Sequence, residues 1–169
     1  SCPFCIDAEV PYQPQNFETV KQDLRFLLTK SKKPVVAWHD PNFGIRFNEI
    51  ADALASVAPP KSFRFIGESS LSILTEDHLK VMRQLGFIAL LPGIESWFDL
   101  GNKSHTSRIT GEEKVNQISE HVNMIFRHIP YVQTNFVSGL ESDTGNEPFE
   151  LTKKFIDKTD VVYLTQIHN

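Results

Sequence analysis

Short apolar runs that alternate with segments of helical spacing are the feature that most constrains this fold. Runs with the length and composition of strands occupy residues 34–40, 63–68, 87–93, 131–139 and 161–167. Before each run, apolar residues recur every three or four positions, as on one face of a helix. Strands separated by single helices form right-handed crossovers, so we predict an α/β protein with five parallel strands alternating with five helices. The periodicity leaves open whether the sheet is doubly wound or curls toward a barrel.

Several helix ends are marked by residues that stabilise them. Asn16 and Thr75 precede helical stripes and are predicted N-caps. Gly86 lies just past the third helical segment, where a left-handed glycine often ends a helix. Thr110 and Glu113 have the spacing of a capping box at the start of the fourth. The helix boundaries are therefore expected near these residues.

Length and charge place the chain among ordinary globular proteins. Its 169 residues suit one domain, and 40% are hydrophobic. The net charge of −4 gives no electrostatic case for binding nucleic acid or an anionic membrane. No apolar run approaches the roughly 20 residues that span a bilayer. Two cysteines are too few for a disulfide scaffold, so a cytoplasmic location is expected.

Polar side chains gather where the predicted strands end. Parallel α/β folds place their sites at the carboxyl ends of strands, so these residues are expected to share one edge of the sheet. The alternative for any single one of them is that it caps a helix or lies in a loop without a functional role. The candidates are His39, Asp40, Asn42, Glu68, Glu95, Ser96, Asn135 and His168.

The first five residues, SCPFC, carry the two cysteines of the chain, Cys2 and Cys5. Thiols at this spacing form redox disulfides, half of a zinc site, or part of an iron–sulfur site. The sequence CPFC is also similar to thioredoxin-type active sites, but those open a helix directly, and here Pro11 and Pro14 follow. The spacing alone leaves these chemistries open.

Taken together, SCPFC and the strand ends HDPNF, GES, GIES and VSGLES resemble the radical S-adenosylmethionine (radical SAM) enzymes. The resemblance runs over essentially the whole chain in strand order. It implies a partial TIM-like (βα) barrel, a [4Fe-4S] cluster and S-adenosylmethionine, from which these enzymes generate a 5′-deoxyadenosyl radical. The HDPNF segment also resembles members that carry a cobalamin-binding domain, which implies cobalamin in the parent protein.

The resemblance also implies roles for particular residues. Cys2 and Cys5 correspond to the second and third cysteines of the family motif C-x3-C-x2-C. Phe4 is expected beside the adenine, and Glu95 with Ser96 near the ribose. The remaining implied cofactor contacts are Asp40, Asn42, Glu68 and Asn135.

Departures from the family pattern predict a truncated domain. The first motif cysteine would lie upstream of Ser1, outside residues 1–169, and the strand ahead of it is missing. The common glycine-glycine-glutamate tripeptide is replaced by Asp40-Pro41-Asn42. Residues 1–169 are therefore interpreted as one truncated partial barrel that lacks its first strand and first cluster cysteine. The isolated chain is expected to be inactive, with the parent protein an enzyme.

Two other readings remain open. The strand-end His39, His168, Asp40, Glu68 and Glu95 could serve a metal-dependent hydrolase barrel. A non-catalytic α/β binding domain is the third hypothesis. The small-molecule substrate is not identified by the sequence. A truncated parallel sheet exposes an edge strand, so self-association through that edge is expected.

Overall fold

The computed structural model describes residues 11, 13–40, 43–98, 109–160 and 163–168. Helices and strands alternate along this part of the chain, and a short 3-10 turn at Leu71–Ile73 follows the second strand. The helices are α1 (Phe17–Lys30), α2 (Phe47–Ala55), α3 (Glu76–Leu85), α4 (Gly111–Phe126) and α5 (Glu147–Lys158). The strands are β1 (Val35–Trp38), β2 (Arg64–Ser70), β3 (Phe87–Glu95), β4 (Tyr131–Ser138) and β5 (Tyr163–His168).

The strands form one sheet in chain order, β1-β2-β3-β4-β5, and each neighbouring pair is parallel. The predicted α/β class and parallel sheet are confirmed. A doubly wound sheet reverses its strand order at a switch point. The described strands show no such reversal, and right-handed crossovers in one direction put all their helices on the same face. The strand order therefore indicates a singly wound sheet and not a doubly wound one, a choice that the periodicity of the sequence leaves open.

Burial alternates along the strands as expected for a sheet covered on one face. Phe65, Leu90, Val132 and Phe136 are buried and pack with the inner faces of the helices in one hydrophobic core. Their neighbours on the other face are half-buried. We call this second surface the open face; its polar members include Glu68, Glu95 and Asn135.

The helix-end predictions are confirmed at three positions and only partly at a fourth. The side chains of Asn16 and Thr75 accept hydrogen bonds from the backbone N–H groups of Glu18 and His78, and Gly86 ends α3 with a φ of 107°. Thr110 is the N-cap of α4, but its side chain makes no capping hydrogen bond within the described part of the chain. Gly111, with a φ of 62°, turns the chain into α4 instead, and its N–H donates to the Trp97 carbonyl at 2.8 Å.

Two strands extend two residues beyond their predicted ends. β2 continues to Ser70 because Ser70 pairs with Gly93, and β3 continues to Glu95. Glu68 and Glu95 therefore lie within the sheet, where the prediction had one at a strand end and the other in a loop.

None of the helices in the described part of the chain combines the length and the apolar character that a membrane span requires.

Candidate functional site

One row of residues crosses the open face near the carboxyl ends of the strands. Ser70 of β2 pairs with Gly93 of β3, Gly93 with Asn135 of β4, and Asn135 with Thr165 of β5. Neighbouring strands lie about 4.8 Å apart, so the members of this row are direct neighbours. Ser70 has a small side chain and Gly93 has none, which leaves space above the sheet for the larger side chains of their neighbours. The strand ends that the sequence predicts to carry the site thus meet at one edge of the sheet.

Glu68 and His39 form a pair at the β1 side of this edge. Because Trp38 pairs with Gly67, the next residue, His39, lies beside Glu68. The Nδ1 atom of His39 is 2.9 Å from Oε1 of Glu68, with the two side chains 74% and 40% exposed. A pair this exposed contributes only about 0–1 kcal/mol to stability. The carboxylate of Glu68 therefore remains accessible to a ligand on the open face.

Glu95 has an unusual backbone conformation. Its φ is 71°, in the left-handed region that a residue with a side chain adopts at a cost of about 1–3 kcal/mol. The pairing of β3 with β4 shifts between Gly93 and Glu95, so Ile94 is extra in the ladder and its side chain is buried in the core. A Cβ atom on Gly93 would lie 2.5 Å from Oε1 of Glu95. The bulge therefore folds the carboxylate back over Gly93, onto the open face.

The side-chain amide of Asn135 is held by two hydrogen bonds. Its Nδ2 donates to the Leu91 carbonyl at 3.3 Å, and its Oδ1 accepts from Nε2 of Gln133 at 3.1 Å. The first bond links β4 to β3, and the second lies within β4. A polar group fixed in this way needs little reordering when a ligand binds.

Ser96 lies beyond the end of β3 and is 4% exposed. Its Oγ accepts a hydrogen bond from the Phe98 N–H at 3.1 Å, and its own N–H donates to the Ile94 carbonyl. These contacts shape the turn that follows β3. The predicted contact of Ser96 with a ribose stays a prediction.

The other predicted site residues are only partly within the described chain. Asp40 follows β1, and its carbonyl accepts from the Phe43 N–H at 3.0 Å. Cys2, Phe4, Cys5 and Asn42 lie outside the described residues. Their predicted roles stay predictions.

Lys114 is a buried residue near the site that the sequence reading missed. It lies in the first turn of α4, is 3% exposed, and its Nζ donates to the Phe98 carbonyl at 3.3 Å. Lysine is almost never fully buried without a partner, so this contact fixes the turn after β3. A signal was available: Lys114 is four residues before Ile118, which puts both on the inward face of the helix.

The described residues contain no group of three or more His, Cys, Asp or Glu side chains arranged to hold a metal ion. His39 and Glu68 form a pair, and no third ligand joins them within this part of the chain. The hydrolase reading therefore gains no support from the described residues.

Comparison with known proteins identifies the fold. No family model matches the sequence, and no curated protein matches it. Among solved structures, the chain is similar to the radical S-adenosylmethionine methyltransferase TsrM from Kitasatospora setae with cobalamin and a [4Fe-4S] cluster bound, with a TM-score of 0.67 and 10% identity over 91% of this chain. TsrM with tryptophan substrate and the SAM analogue aza-SAM gives a TM-score of 0.65 and 11% identity over 90%. OxsB, a cobalamin-dependent S-adenosylmethionine radical enzyme with aqua-cobalamin bound, gives 0.56 and 17% identity, also over 90%.

These matches define a class of fold. The described chain shares the fold of the matched parts of TsrM and OxsB. The cofactors bound in those structures, a [4Fe-4S] cluster, a SAM analogue and cobalamin, are the set that the sequence predicts. The chain spans 29%, 30% and 24% of the lengths of the three matched chains, which is less than a third of each.

Proposed function

We propose that this chain is the S-adenosylmethionine-binding part of a radical SAM enzyme of the cobalamin-dependent type. The observation that carries the proposal is the convergence of Glu68, Glu95 and Asn135 on one open face. The three residues lie near the carboxyl ends of the strands. Parallel α/β enzymes bind their ligands at that end of the sheet. The fold shared with TsrM and OxsB over about nine-tenths of the chain supports the same assignment.

The open face suits the groups that S-adenosylmethionine presents. Its ammonium and sulfonium are cationic, and Glu68 and Glu95 supply two carboxylates. The ribose hydroxyls need acceptors, which carboxylates provide, and Asn135 offers a fixed amide. Gly93 leaves room for the Glu95 carboxylate above the sheet. We assign Glu95 to the ribose, Glu68 to the cationic groups, and Asn135 to the methionine moiety or the sugar.

The cluster is proposed to lie beside this face. Cys2 and Cys5 would supply two thiolates to a [4Fe-4S] cluster, with further ligands from outside this chain. When bound, the cluster supplies the electron that cleaves a carbon–sulfur bond of S-adenosylmethionine. The residues of the open face would hold the cofactor and keep water from it. In the whole protein the sheet would be part of an incomplete TIM-like barrel, alongside a cobalamin-binding domain.

Titration with S-adenosylmethionine tests the proposed face directly. In ¹H–¹⁵N correlation spectra of the isotopically labelled chain, S-adenosylmethionine should shift amides near Glu68, Gly93, Glu95 and Asn135. Glu95→Gln should weaken binding about tenfold, because one charged acceptor is lost. Glu120→Gln removes an exposed carboxylate from α4 and is the matched control, with no change expected. Shifts confined to another surface, or equal binding by the two variants, would contradict the proposal.

Reconstitution tests the cysteines separately. With iron and sulfide under anaerobic conditions, the chain should take up iron and sulfide and develop a visible charge-transfer absorption that is lost in air. Replacing both Cys2 and Cys5 by serine should abolish this absorption. No 5′-deoxyadenosine is expected from the isolated chain, because two thiolates hold the cluster poorly. Equal iron uptake by the serine variant would contradict the role of the cysteines. A stable cluster that cleaves S-adenosylmethionine would contradict the expected inactivity of the isolated chain.

A further inference from the structure

A cavity lies at the opposite edge of the sheet from the open-face site. It has a volume of about 380 Å³ and is lined by residues at the amino-terminal ends of the strands, among them Arg64 of β2 and Phe87 of β3. Pro130, just before β4, also lines it. Cavities of this size are in the range that holds small molecules. Nothing in the proposed radical chemistry uses this edge.

The lining of this cavity is strongly basic. The described residues that line it include no aspartate or glutamate. This is unusual for a chain whose net charge is −4. The basic residues are Lys33, Lys61, Arg64, Arg83, Arg127 and His128.

The five lysines and arginines of this set are exposed, and none of them forms an ion pair with a carboxylate among the described residues. His128 is different, because its Nε2 lies 3.7 Å from Oε1 of Glu76. Five like charges around one cavity repel one another, so an anion in the cavity would relieve that repulsion.

Helix dipoles account for only part of the cluster. Arg83 lies in the last turn of α3 and Arg127 follows the end of α4, where cations offset the negative end of a helix. Nη1 of Arg83 also donates to the Arg127 carbonyl at 3.4 Å. Lys33, Lys61 and Arg64 lie in loops or at the start of a strand. Their presence at the cavity needs another reason.

Lys61 supplies an independent observation. Its φ is 62°, so a long side chain occupies a left-handed position where glycine or asparagine is less strained. The backbone around it is closely packed, because a Cβ atom on Gly86 would lie 3.3 Å from the Lys61 Cα and 2.5 Å from the Phe63 carbonyl oxygen. Strain of this kind often accompanies function. Here the strained residue is one of the cations that line the cavity.

We propose that this cavity binds a phosphorylated small molecule through its phosphoryl groups. The cations would surround the phosphoryl oxygens, and Arg64, Arg83 and Arg127 offer the planar pairs of donors that match them. The aromatic side chains of Phe63 and Phe87 are buried and form an apolar wall for the rest of the ligand. The site is separate from the proposed S-adenosylmethionine face and does not depend on it.

Inorganic pyrophosphate is the probe that tests this site. Calorimetric titration at low ionic strength should show binding to the intact chain that weakens as salt is added. Arg64→Gln combined with Lys61→Gly should weaken binding about tenfold or more, since two cations are removed. Lys153→Gln combined with Lys154→Gln removes the same charge from α5, which does not line the cavity. This control should bind pyrophosphate as the wild type does.

The single variant Lys61→Gly separates binding from folding. Glycine adopts a positive φ without the strain that lysine has there, so the unfolding midpoint of this variant should not fall. Its affinity for pyrophosphate should fall, because one cation is lost. Absence of pyrophosphate binding, or equal losses in the cavity and control variants, would overturn the proposal. So would binding of an oligoglutamate peptide without binding of pyrophosphate, which would assign the cavity to an acidic protein partner.

Discussion

Replacing Gly93 by alanine should move the Glu95 carboxylate without unfolding the protein. The new Cβ would lie 2.5 Å from Oε1 and 3.2 Å from Cδ of Glu95, and these atoms belong to the end of one flexible side chain. The φ of Gly93 is outside the left-handed region, so alanine fits the backbone. We therefore expect the side chain of Glu95 to swing away while the strand stays in place.

The energetic terms for this substitution nearly cancel. Moving a side chain off its preferred rotamer costs about 0.5–1.5 kcal/mol. Replacing glycine by alanine at a compatible position lowers the conformational entropy of the unfolded chain. This stabilises the folded state by about 0.4–1 kcal/mol. The free energy of unfolding should thus change by less than about 1 kcal/mol.

Gly86→Ala is the matched control. Gly86 has a φ of 107°, and a Cβ there would lie 2.5 Å from the Phe63 carbonyl oxygen, which is backbone and cannot move aside. Strain of this kind costs about 1–3 kcal/mol before the clash is counted. The free energy of unfolding should therefore fall by about 2 kcal/mol or more.

Urea unfolding followed by tryptophan fluorescence distinguishes the two variants. With a denaturant dependence of about 2 kcal/mol per molar, the midpoint of Gly86→Ala should drop by about 1 M and that of Gly93→Ala by less than about 0.5 M. Gly93→Ala should also bind S-adenosylmethionine as weakly as Glu95→Gln does. Equal destabilisation by the two alanines would refute the reasoning that the Glu95 side chain can move aside, whatever the ligand results.

Three further outcomes are expected. Lys114→Met should lower the free energy of unfolding by about 1–3 kcal/mol in urea melts, because the Phe98 carbonyl loses its buried donor; no change would mean that the contact is immaterial. Thr152→Val removes the hydroxyl that accepts from Nε1 of Trp97 at 2.8 Å, and should cost about 1–2 kcal/mol with an altered near-ultraviolet circular dichroism spectrum. Val35 is 56% exposed on the edge strand β1, so Val35→Lys should reduce self-association of the chain in sedimentation velocity, and a monomeric wild type would contradict edge pairing.

Local features of this fold could be predicted from the sequence because they depend on neighbours in the chain. Asn16 and Thr75 cap their helices through bonds to N–H groups two and three residues away, and Gly86 ends α3 by its own conformation. The alternation of apolar runs likewise reflects each segment's own periodicity. The α/β class follows from these local signals.

Other features depend on contacts between distant segments. The strand order follows from pairings such as Val35 with Arg64, which a periodicity cannot encode. The bulge that turns Glu95 onto the open face arises from the pairing of β3 with β4. The sequence predicts Glu95, after the third strand, and Asn135, within the fourth, as site candidates. Their position on one face depends on the pairing of the strands.

The sequential strand order also bears on how the chain folds. Each strand pairs with the one that precedes it along the chain, and each helix contacts the next. Native contacts are therefore made between consecutive segments, which favours rapid folding and growth from the amino terminus during translation. A nascent chain that has emerged as far as β3 already contains β1 and β3, the two strands that pair with β2. Protection of the Phe65 amide from hydrogen exchange should therefore appear before α4 is synthesised.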